Sequence, residues 1–341
     1  MTTGTTSEKD PVDFVVTWVN SDDPEWRTRR DAARLAHGLP ISEGGASEVR
    51  HREWGLFRYW FRSVERYCPW VRRIHVVLAG DAPSWLDTEH PKLNLIPDQT
   101  LLGHDIDVFN SHAVESRLPH IDGLSEKFVY FNDDFYIGQP LTPDYFFPGG
   151  LPYGVNVPTI LADGDDRAHA MLNASGLINR HFTRSQYWRQ LAAKTLRPAS
   201  GTMLARVPLF FASTYIPPVS DPHVGMPFLR TVIEEAFAAE PEAIEAARTA
   251  VFRSARDVAP LYYASMWHLA TGKYTARSKH ALGAYFSLSD DVTSVVDAIS
   301  AGRHPQICIN DAQVTDVDSV QGALVTAFQD RLPRPSSFER Q

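Results

Sequence analysis

The sequence predicts an α/β fold in which a mostly parallel, Rossmann-like sheet is flanked by helices. Short apolar runs rich in β-branched residues alternate along the chain with segments whose apolar residues recur at helical spacing. This alternation is typical of parallel strands joined by helices that cover both faces of a sheet. Two of the apolar runs stop at an Asn-Asp sequence, as buried strands do at a polar turn. Helical periodicity dominates after residue 227 and predicts a helical C-terminal portion.

The first half of the chain supplies most of the predicted strands. Residues 12–19 form an apolar, β-branched run that stops at Asn20-Ser21-Asp22-Asp23-Pro24, and a helix that closes near Gly38 follows. Residues 54–67 are predicted to be helical because apolar residues recur there at helical spacing before Pro69. Further strands are predicted at 74–79, 93–96, 106–109, 128–131 and 135–137, with a helix through 113–117 and a loop at 41–49.

The second half is predicted to be mainly helical after a long irregular segment. Residues 138–220 are rich in Pro and Gly without a strong period, which predicts loops, edge strands and one short helix at 184–193. A last strand is predicted at 306–309, where an apolar run stops at Asn310-Asp311. The helices predicted around them cover 227–239, 241–253, 259–269 and 320–330.

Length and composition are those of a folded globular protein with a sizeable core. The chain has 341 residues, of which 43% are hydrophobic and 22% charged. Residues 1–11 lack apolar periodicity and are predicted to be a disordered lead. We expect one catalytic domain over residues 12–331 and a tail over 332–341.

Charge, cysteine content and hydropathy exclude several classes of function. The net charge is −8, and with basic residues interleaved among acidic ones the sequence predicts no nucleic acid partner. Cys68 and Cys308 lack metal-site or redox spacing and are predicted to be buried, reduced thiols. The N-terminal region lacks a signal-peptide layout, and no apolar run approaches the roughly 20 residues that span a bilayer. The sequence therefore predicts a cytoplasmic location and leaves peripheral membrane association open.

Three predicted strands end in the same polar chemistry. The ends are Thr17-Trp18-Val19-Asn20 before Asp22, then Asn132-Asp133-Asp134, and Asn310-Asp311. In open α/β sheets, ligands bind outside the carboxyl ends of the strands, so these ends are predicted to meet in one pocket. Asn and Asp also punctuate ordinary turns. The Asp133-Asp134 pair stands out because it interrupts an apolar strand pattern, which costs desolvation free energy unless a cation compensates.

This carboxylate pattern predicts a hard divalent cation. Mg²⁺ takes oxygen ligands and is usually held by one or two carboxylates together with substrate phosphates. The predicted ligands of Mg²⁺ or Mn²⁺ are Asp133, Asp134, Asn310 and Asp311. Such an ion would neutralise charge that develops on a leaving phosphate. A glycosyltransferase would use the same arrangement, so the carboxylates alone do not identify the bond that breaks.

The motifs around these strand ends resemble the Stealth family. The resemblance covers regions at about 13–24, 50–147, 221–270 and 306–312, which include Thr17-Trp18-Val19-Asn20, Leu56-Phe57-Arg58-Tyr59, His223-Val224-Gly225-Met226-Pro227 and Cys308-Ile309-Asn310-Asp311. The family includes bacterial capsule polymerases and is similar to the catalytic part of the animal N-acetylglucosamine-1-phosphotransferase. The resemblance implies that a glycan hydroxyl attacks the sugar-linked phosphorus of a nucleotide-diphosphate sugar, with UDP the expected nucleotide. The products would be a phosphodiester in a cell-surface or capsular polysaccharide and a nucleoside monophosphate.

Candidate roles follow from the motifs and their chemistry. His223, in a Pro-flanked turn before the helix predicted from Pro227, is the candidate general base. Arg253, whose Phe-Arg context the family shares, is a candidate phosphate ligand or a cap of the preceding helix. The predicted substrate-binding residues are Trp18, Asn20, Asp22, Arg58, Arg62, Asn110, Ser111, Glu115 and Asn132. The alternative for Trp18 is a position in the core. The alternative for Arg58 and Arg62 is pairing with Glu53 and Glu65 on the surface.

Two rival functions remain at this stage. One is a metal-dependent glycosyltransferase, which would release UDP where sugar-phosphate transfer releases UMP. The other is a catalytically silent glycan-binding protein, a reading favoured by two departures from the family pattern. Gly55 stands where an acidic residue is usual, and Ala312 replaces a third acidic residue after Asn310-Asp311.

Overall fold

A computed structural model describes residues 10–39, 52, 54–103, 106–161, 166–194 and 205–340. The strands are β1 Val12–Val19, β2 Ile74–Ala79, β3 Leu93–Pro97, β4 Lys127–Phe131, β5 Phe135–Ile137, β6 Tyr153–Gly154, β7 Met226–Leu229, β8 Thr275–Ala276, β9 Ala284–Ser287 and β10 Gln306–Asn310. The helices are α1 Pro24–Ala36, α2 Phe57–Tyr67, α3 Asp98–Leu102, α4 Ser111–Glu115, α5 Pro143–Phe146, α6 Asp166–His181, α7 Arg184–Lys194, α8 Pro208–Ala212, α9 Arg230–Ala239, α10 Pro241–Arg248, α11 Pro260–Thr271, α12 Thr293–Ala301 and α13 Val317–Arg331.

The central sheet has five strands in the order β3-β2-β1-β4-β7. The first four are parallel, and β7 runs antiparallel to β4 at the edge. The predicted mostly parallel α/β sheet is therefore confirmed. Because the carboxyl ends of β1 and β4 lie side by side, the polar residues that follow them face the same end of the sheet.

Alternating side chains of the central strands build two separate cores. Phe14 and Phe131 face one side, where they pack with Trp60 of α2. Val15 and Tyr130 face the other side, which α6, α9 and α11 cover. This period of two is what a sheet covered on both faces requires. Trp60 is fully buried, so Trp60→Ala would cost about 3–5 kcal/mol in the free energy of unfolding.

The last strand belongs to a second sheet, ordered β5-β10-β9. Strand β10 pairs antiparallel with β5 and parallel with β9, and does not join the central sheet. The Ile309 backbone N–H donates to the Asp134 carbonyl at 2.9 Å. The end of β10 is therefore fixed beside the turn that follows β4, although by a different route from the single sheet that the sequence predicts.

Several element boundaries differ from the predictions. Residues 106–109 form a loop, in which the Phe109 N–H donates to the Val251 carbonyl. Pro227 lies in β7 and the helix begins only at Arg230, because the edge position of β7 tolerates a residue without an N–H group. The helix predicted to reach residue 253 ends at Arg248. Most of the predicted lead and the loop at 41–49 lie outside the described residues.

The segment 138–220 contains more regular structure than predicted. Helix α6 has 16 residues, and its buried face uses Ala170, Ala174 and Ser175 beside larger residues. Such small side chains weaken the apolar contrast on which the periodicity test depends. Outside this segment, helix α12 and strand β9 are further elements that the sequence does not predict.

Residues 332–340, expected as a tail, pack against the domain. Phe338 is buried beside Phe61 of α2, and Glu339 forms a β-bridge with Leu86. In the described part of the chain, no helix is both long and apolar enough to cross a bilayer.

Candidate active site

A cleft of about 1180 Å³ opens at the carboxyl ends of β1 and β4. Its walls come from segments that are distant in sequence. They include the end of β1, residues 108–115, the turn 132–134, the start of α6, the loop 219–223, the loop at 252–253 and the end of β10. The ends of the three strands therefore meet at this cleft, although Asn20 and Asp22 after β1 do not line it. This is the position at which ligands of open α/β folds bind.

The adjacent carboxylates of Asp133 and Asp134 face different halves of the cleft. Burial raises the pKa of the Tyr130 hydroxyl, and the negative charges of Glu115 and Asp133 raise it further. Asp133 therefore interacts with the same group as Glu115. Asp134 instead interacts with His223 and Cys308. We name the two halves the Arg253 subsite (Ser111, Glu115, Tyr130, Asp133, Arg253) and the His223 subsite (Asp134, Arg167, Asp221, His223, Cys308).

The Arg253 subsite is held by loop-to-loop hydrogen bonds. The Arg253 guanidinium donates to the Ser111 hydroxyl at 2.7 Å. The Asn110 side chain caps α4 by accepting from the His112 N–H at 3.1 Å and donates to Asp257 at 3.0 Å. Arg253 follows a loop and not a helix end, so the helix-capping alternative is wrong. A guanidinium that is half-buried in a polar cleft suits a phosphate group.

His223 occupies an unusual backbone conformation at the mouth of the other subsite. Its φ is +52°, in the left-handed region that non-glycine residues rarely adopt, and its N–H donates to the Asp221 carboxylate at 2.9 Å. The ring packs edge-on against Phe135, with centroids 5.0 Å apart. Strained residues of this kind cluster at functional sites. His223 precedes a strand, however, and not the helix N-terminus that the sequence predicts.

An arginine that the sequence did not single out shares a ring nitrogen of His223. The Arg167 guanidinium lies 3.1 Å from His223 Nδ1 and also pairs with Asp221. Because a guanidinium only donates, Nδ1 is the acceptor and the neutral ring carries its proton on Nε2. Hydrogen bonds and charge from His223 and Arg167 hold the pKa of Asp221 well below its usual range, although burial alone would raise it. Asp221 thus stays ionised between the Arg167 guanidinium and the His223 ring.

Two carboxylates of the cleft carry oxygens without a partner among the described residues. Asp134 Oδ1 and Asp311 Oδ2 are buried and accept no hydrogen bond there. Burial raises the pKa of Asp134, and it raises the pKa of Asp311 to about 6 although the Arg52 guanidinium, 3.7 Å away, acts in the opposite direction. Orphaned, partly desolvated carboxylate oxygens are what a bound cation would satisfy.

The predicted metal ligands do not all converge. Among the described residues, the three ligand atoms that come within 4.8 Å of one another belong to Asp134, His223 and Cys308, and the set Asp133, Asp134 and Asp311 does not meet that spacing. The Cys308 thiol donates to Asp134 at 3.5 Å, and burial strongly raises its pKa, so it stays protonated. The predicted buried, unpaired thiols are confirmed for both cysteines.

Four residues predicted to bind substrate lie outside the lining of the cleft. Asn20 holds a turn, since its amide donates to the Asp81 carbonyl and its oxygen accepts from the Asp22 N–H, each at 3.2 Å. The exposed Asp22 pairs with Arg27. Arg58 lies over the Trp85 ring. The turn-forming role of Asn and Asp accounts for the first two residues without a ligand.

The prediction that Arg62 binds substrate is wrong. Its buried guanidinium forms two hydrogen bonds of 2.8 Å with the Glu339 carboxylate and a third, of 2.9 Å, with the Leu332 carbonyl. The predicted surface partner Glu65 instead accepts from Ser337. Trp18, in contrast, does line the cleft, where it stacks on Phe57 at 5.5 Å and is also part of the core. Asn110, Ser111, Glu115, Asn132, Asn310 and Asp311 line it as well.

The fold and the cleft define an α/β protein with a charged site at the carboxyl edge of a parallel sheet, where the active sites of open α/β enzymes lie. Two family models match the chain. Stealth protein CR1, conserved region 1, matches residues 10–38, and Stealth protein CR2, conserved region 2, matches residues 50–151. The chain belongs to the Stealth family, as its similarity to whole-length relatives establishes.

Those relatives align along almost their entire length. The receptor polysaccharide phosphotransferase WefC of Streptococcus gordonii is 32% identical over 96% of this chain and 98% of its own. The capsular polysaccharide phosphotransferase WcwK of Streptococcus pneumoniae is 30% identical over 96% and 98%. The exopolysaccharide phosphotransferase cps2G of Lactiplantibacillus plantarum is 30% identical over 96% of each. A solved structure, the apo form of the bifunctional glycosyltransferase WbbM, aligns with 96% of this chain and 52% of its own at 10% identity, but its TM-score of 0.38 is too low to establish a shared fold.

Proposed function

We propose that the chain transfers a sugar 1-phosphate from a nucleotide-diphosphate sugar, UDP-linked, to a hydroxyl of a glycan acceptor in the cytoplasm. The chain is a phosphotransferase of polysaccharide synthesis, as the names of its full-length Stealth relatives support. The observation that supports sugar-phosphate transfer to a hydroxyl is the presence of the Arg253 subsite and the His223 subsite in a single cleft. Such a cleft offers a phosphate ligand on one side and a proton acceptor on the other.

His223 is the proposed general base. Its Nδ1 accepts a hydrogen bond from Arg167, so the lone pair of this atom points at the guanidinium and the ring is held in place. Arg167 is 43% exposed, which leaves the guanidinium free to turn toward an anionic donor. When it does so, Nδ1 becomes the acceptor for the proton of the attacking hydroxyl, and the ionised Asp221 stabilises the imidazolium that forms.

Arg253 and Arg167 are the proposed phosphate ligands. The Arg253 guanidinium is already oriented by its hydrogen bond to Ser111. Arg167, held by Asp221 in the free protein, turns toward the phosphate when the donor binds. Guanidinium groups at these positions would stabilise charge that develops on the leaving phosphate. Trp18, with Asn110 and Asn132, forms the wall against which the rest of the donor is proposed to lie.

The carboxylates of the cleft fit a divalent cation, Mg²⁺ or Mn²⁺. Asp134 and Asp311 are the proposed ligands because each has a buried oxygen without a partner among the described residues. Asp133 and Asn310 lie next to them in sequence and line the same cleft. When bound, such an ion would neutralise negative charge on the diphosphate.

Product analysis separates this proposal from its rivals. The protein is incubated with UDP-sugars and an acceptor glycan, and the nucleotide product is identified by mass spectrometry. Release of UMP with a gain of one sugar phosphate on the acceptor supports the proposal. Release of UDP identifies a glycosyltransferase, and binding without any product identifies a silent glycan-binding protein.

A further inference from the structure

One long stretch of this acidic chain carries no acidic residue. Residues 167–220 contain no Asp or Glu, although the whole chain has 41 of them and a net charge of −8. The basic residues of the stretch are Arg167, Arg180, Arg184, Arg189, Lys194, Arg197 and Arg206. The expectation that basic and acidic residues are interleaved throughout is therefore wrong here. Within the described residues, Arg184, Arg189 and Arg206 form no ion pair with a carboxylate.

Exposed apolar side chains lie on the same stretch and beside it. Ile160, Tyr215 and Phe211 are 76%, 70% and 60% exposed, and they are three of the four most exposed large apolar residues in the described part of the chain. Phe211 packs edge-on against Trp188 of α7, with ring centroids 4.7 Å apart. Burial of these side chains in an apolar medium would release the water that they now order.

Hydrogen bonds and ring contacts connect the cationic and apolar residues. Arg184 lies over the Phe210 ring and donates to the Phe210 carbonyl at 2.8 Å. The Arg206 guanidinium donates to the hydroxyls of Thr159, next to Ile160, and Ser220, at 3.4 and 3.3 Å. Arg189 follows Trp188, the ring partner of Phe211, and Tyr215 follows α8 in sequence, and both side chains are exposed. We name Ile160, Arg184, Arg189, Arg206, Phe211 and Tyr215 the basic aromatic surface.

We propose that the basic aromatic surface docks the protein on an anionic lipid bilayer. Exposed aromatic and aliphatic side chains insert at the boundary of headgroups and acyl chains, while arginines beside them bind lipid phosphates. The remainder of the chain is strongly acidic and is repelled by an anionic membrane, so charge alone selects this face. An acid-free stretch of this length matches a uniformly negative surface better than it matches the mixed charges of a typical protein partner.

The proposed docking orients the cleft. Ser220, which accepts from Arg206, and the adjacent Asp221 both line the cleft on its His223 side. A bilayer that contacts the basic aromatic surface would therefore lie next to the entrance used by the acceptor. This consequence rests on the proposed function, whereas the docking itself does not.

Vesicle co-sedimentation tests the docking without any measurement of turnover. The chain is mixed with vesicles of phosphatidylcholine alone or with added phosphatidylglycerol, at low and at physiological salt. We expect binding only to the anionic vesicles and weaker binding at higher salt. Arg189→Gln together with Arg206→Gln should weaken binding roughly 20- to 30-fold, and Phe211→Ser with Tyr215→Ser should also weaken it.

Matched controls separate docking from loss of folding. Leu35→Ser changes an apolar residue of α1 that is 63% exposed, and Arg303→Gln changes an exposed arginine elsewhere. Both should bind vesicles as the unchanged protein does. Arg189→Gln alone keeps the test valid if a double variant unfolds, because Arg189 is exposed. Absence of binding to anionic vesicles, equal binding to neutral ones, or self-association through Phe211 in place of vesicle binding would overturn the proposal.

Discussion

His223 owes its position to a backbone conformation as much as to its own contacts. A left-handed residue directly after Pro222 turns the ring into the cleft, where Phe135 and Arg167 hold it from two sides. The strain is of the order of 1–3 kcal/mol. An alanine at this position bears a similar cost, so the geometry of the loop should survive the loss of the imidazole.

Replacement of His223 by alanine should therefore separate rate from binding. If Nδ1 accepts the proton of the attacking hydroxyl, His223→Ala lowers kcat by a factor on the order of 10² to 10⁴. Donor affinity, measured by calorimetry with a UDP-sugar, should stay nearly the same. His280→Ala, at an exposed histidine, is the control. Wild-type turnover, or an equal loss of affinity and rate, would leave the base unassigned.

Asp134 and Asp311 should govern the dependence on a divalent ion. Excess chelator should abolish turnover and Mg²⁺ or Mn²⁺ should restore it, while Asp134→Asn and Asp311→Asn should each weaken Mn²⁺ binding by about ten-fold or more, as read by electron paramagnetic resonance. Because the pKa of Asp311 is raised to about 6, its carboxylate is available above that pH, and Mn²⁺ binding should weaken as the pH falls below it. Exposed Asp297→Asn should change nothing. Full activity in excess chelator would contradict the metal proposal.

At the scale of elements, the loop that carries His223 is held by close packing at Gly225. A Cβ atom there would lie 2.4 Å from the Phe131 ring and 2.6 Å from Gln306 Oε1. Both neighbours are buried and rigid, and the Gly225 carbonyl also accepts a hydrogen bond from Tyr153. The only residue that fits between β4 and β10 at this point is the one without a side chain.

Gly225→Ala should therefore damage both stability and activity. We expect a loss of about 1–3 kcal/mol in the free energy of unfolding, from overpacking, and a fall in kcat because the loop to His223 is displaced. Urea denaturation and steady-state kinetics measure the two effects. Gly176→Ala in α6 is a matched control: its Cβ would meet nothing within 4 Å, so it should stabilise the helix by about 0.5–1 kcal/mol. A Gly225→Ala protein as stable and active as the wild type would show that the loop has room to adjust.

The elements that the sequence predicted well are those with a strong local signal. Strands β1, β2 and β4 are mostly apolar runs, and their ends lie within one residue of the predicted ones. Pro227 misled the prediction because proline marks helix starts and edge strands alike, and only pairing with β4 decides between them. Likewise, no local pattern distinguishes a strand of the central sheet from β10, whose partner is β5.

For the candidate site, sequence reasoning located the residues that stand in motifs and missed those that arrive by packing. Asp134, His223 and Arg253 line the cleft, but their roles stay predictions. Arg167 lies at the start of α6, outside the regions that resemble the Stealth family, and no sequence pattern links it to His223, which is 56 residues away. Arg62 fails for the opposite reason: a motif arginine has its partner in a segment predicted to be a tail.

For the whole molecule, acid stability should depend on His268. This fully buried ring accepts from the Leu229 N–H through Nε2 and lies 2.9 Å from the Ala264 carbonyl through Nδ1, which joins β7 to α11. Burial lowers its pKa to about 4. The unfolded chain takes up a proton near pH 6.5 and the folded chain only near pH 4, so the contribution of His268 is complete above pH 6.5 and is lost as the pH falls between these values.

His268→Leu should accordingly flatten this part of the stability profile. The variant loses an acceptor for Leu229 and should be less stable than the wild type at pH 7 by about 1–3 kcal/mol. Its free energy of unfolding should then fall less steeply between pH 6.5 and 4.5, by up to about 1.4 kcal/mol per pH unit. Urea titrations at several pH values measure both effects, with exposed His280→Leu as the control. An unchanged slope in His268→Leu would show that other groups determine the acid limb.

The ion pair between Arg62 and Glu339 joins residues that are 277 positions apart, and it therefore constrains the order in which the chain folds during synthesis. A ribosome that has already released α2 must still add most of the chain before the partner of Arg62 exists. Until then, the Arg62 guanidinium, which is buried in the folded protein, stays hydrated, and Phe61 lacks the ring contact that Phe338 supplies. The contact between α2 and residues 332–340 should thus form last in a nascent chain. The exposed face of α2 is therefore the place where a chaperone has the longest time to bind.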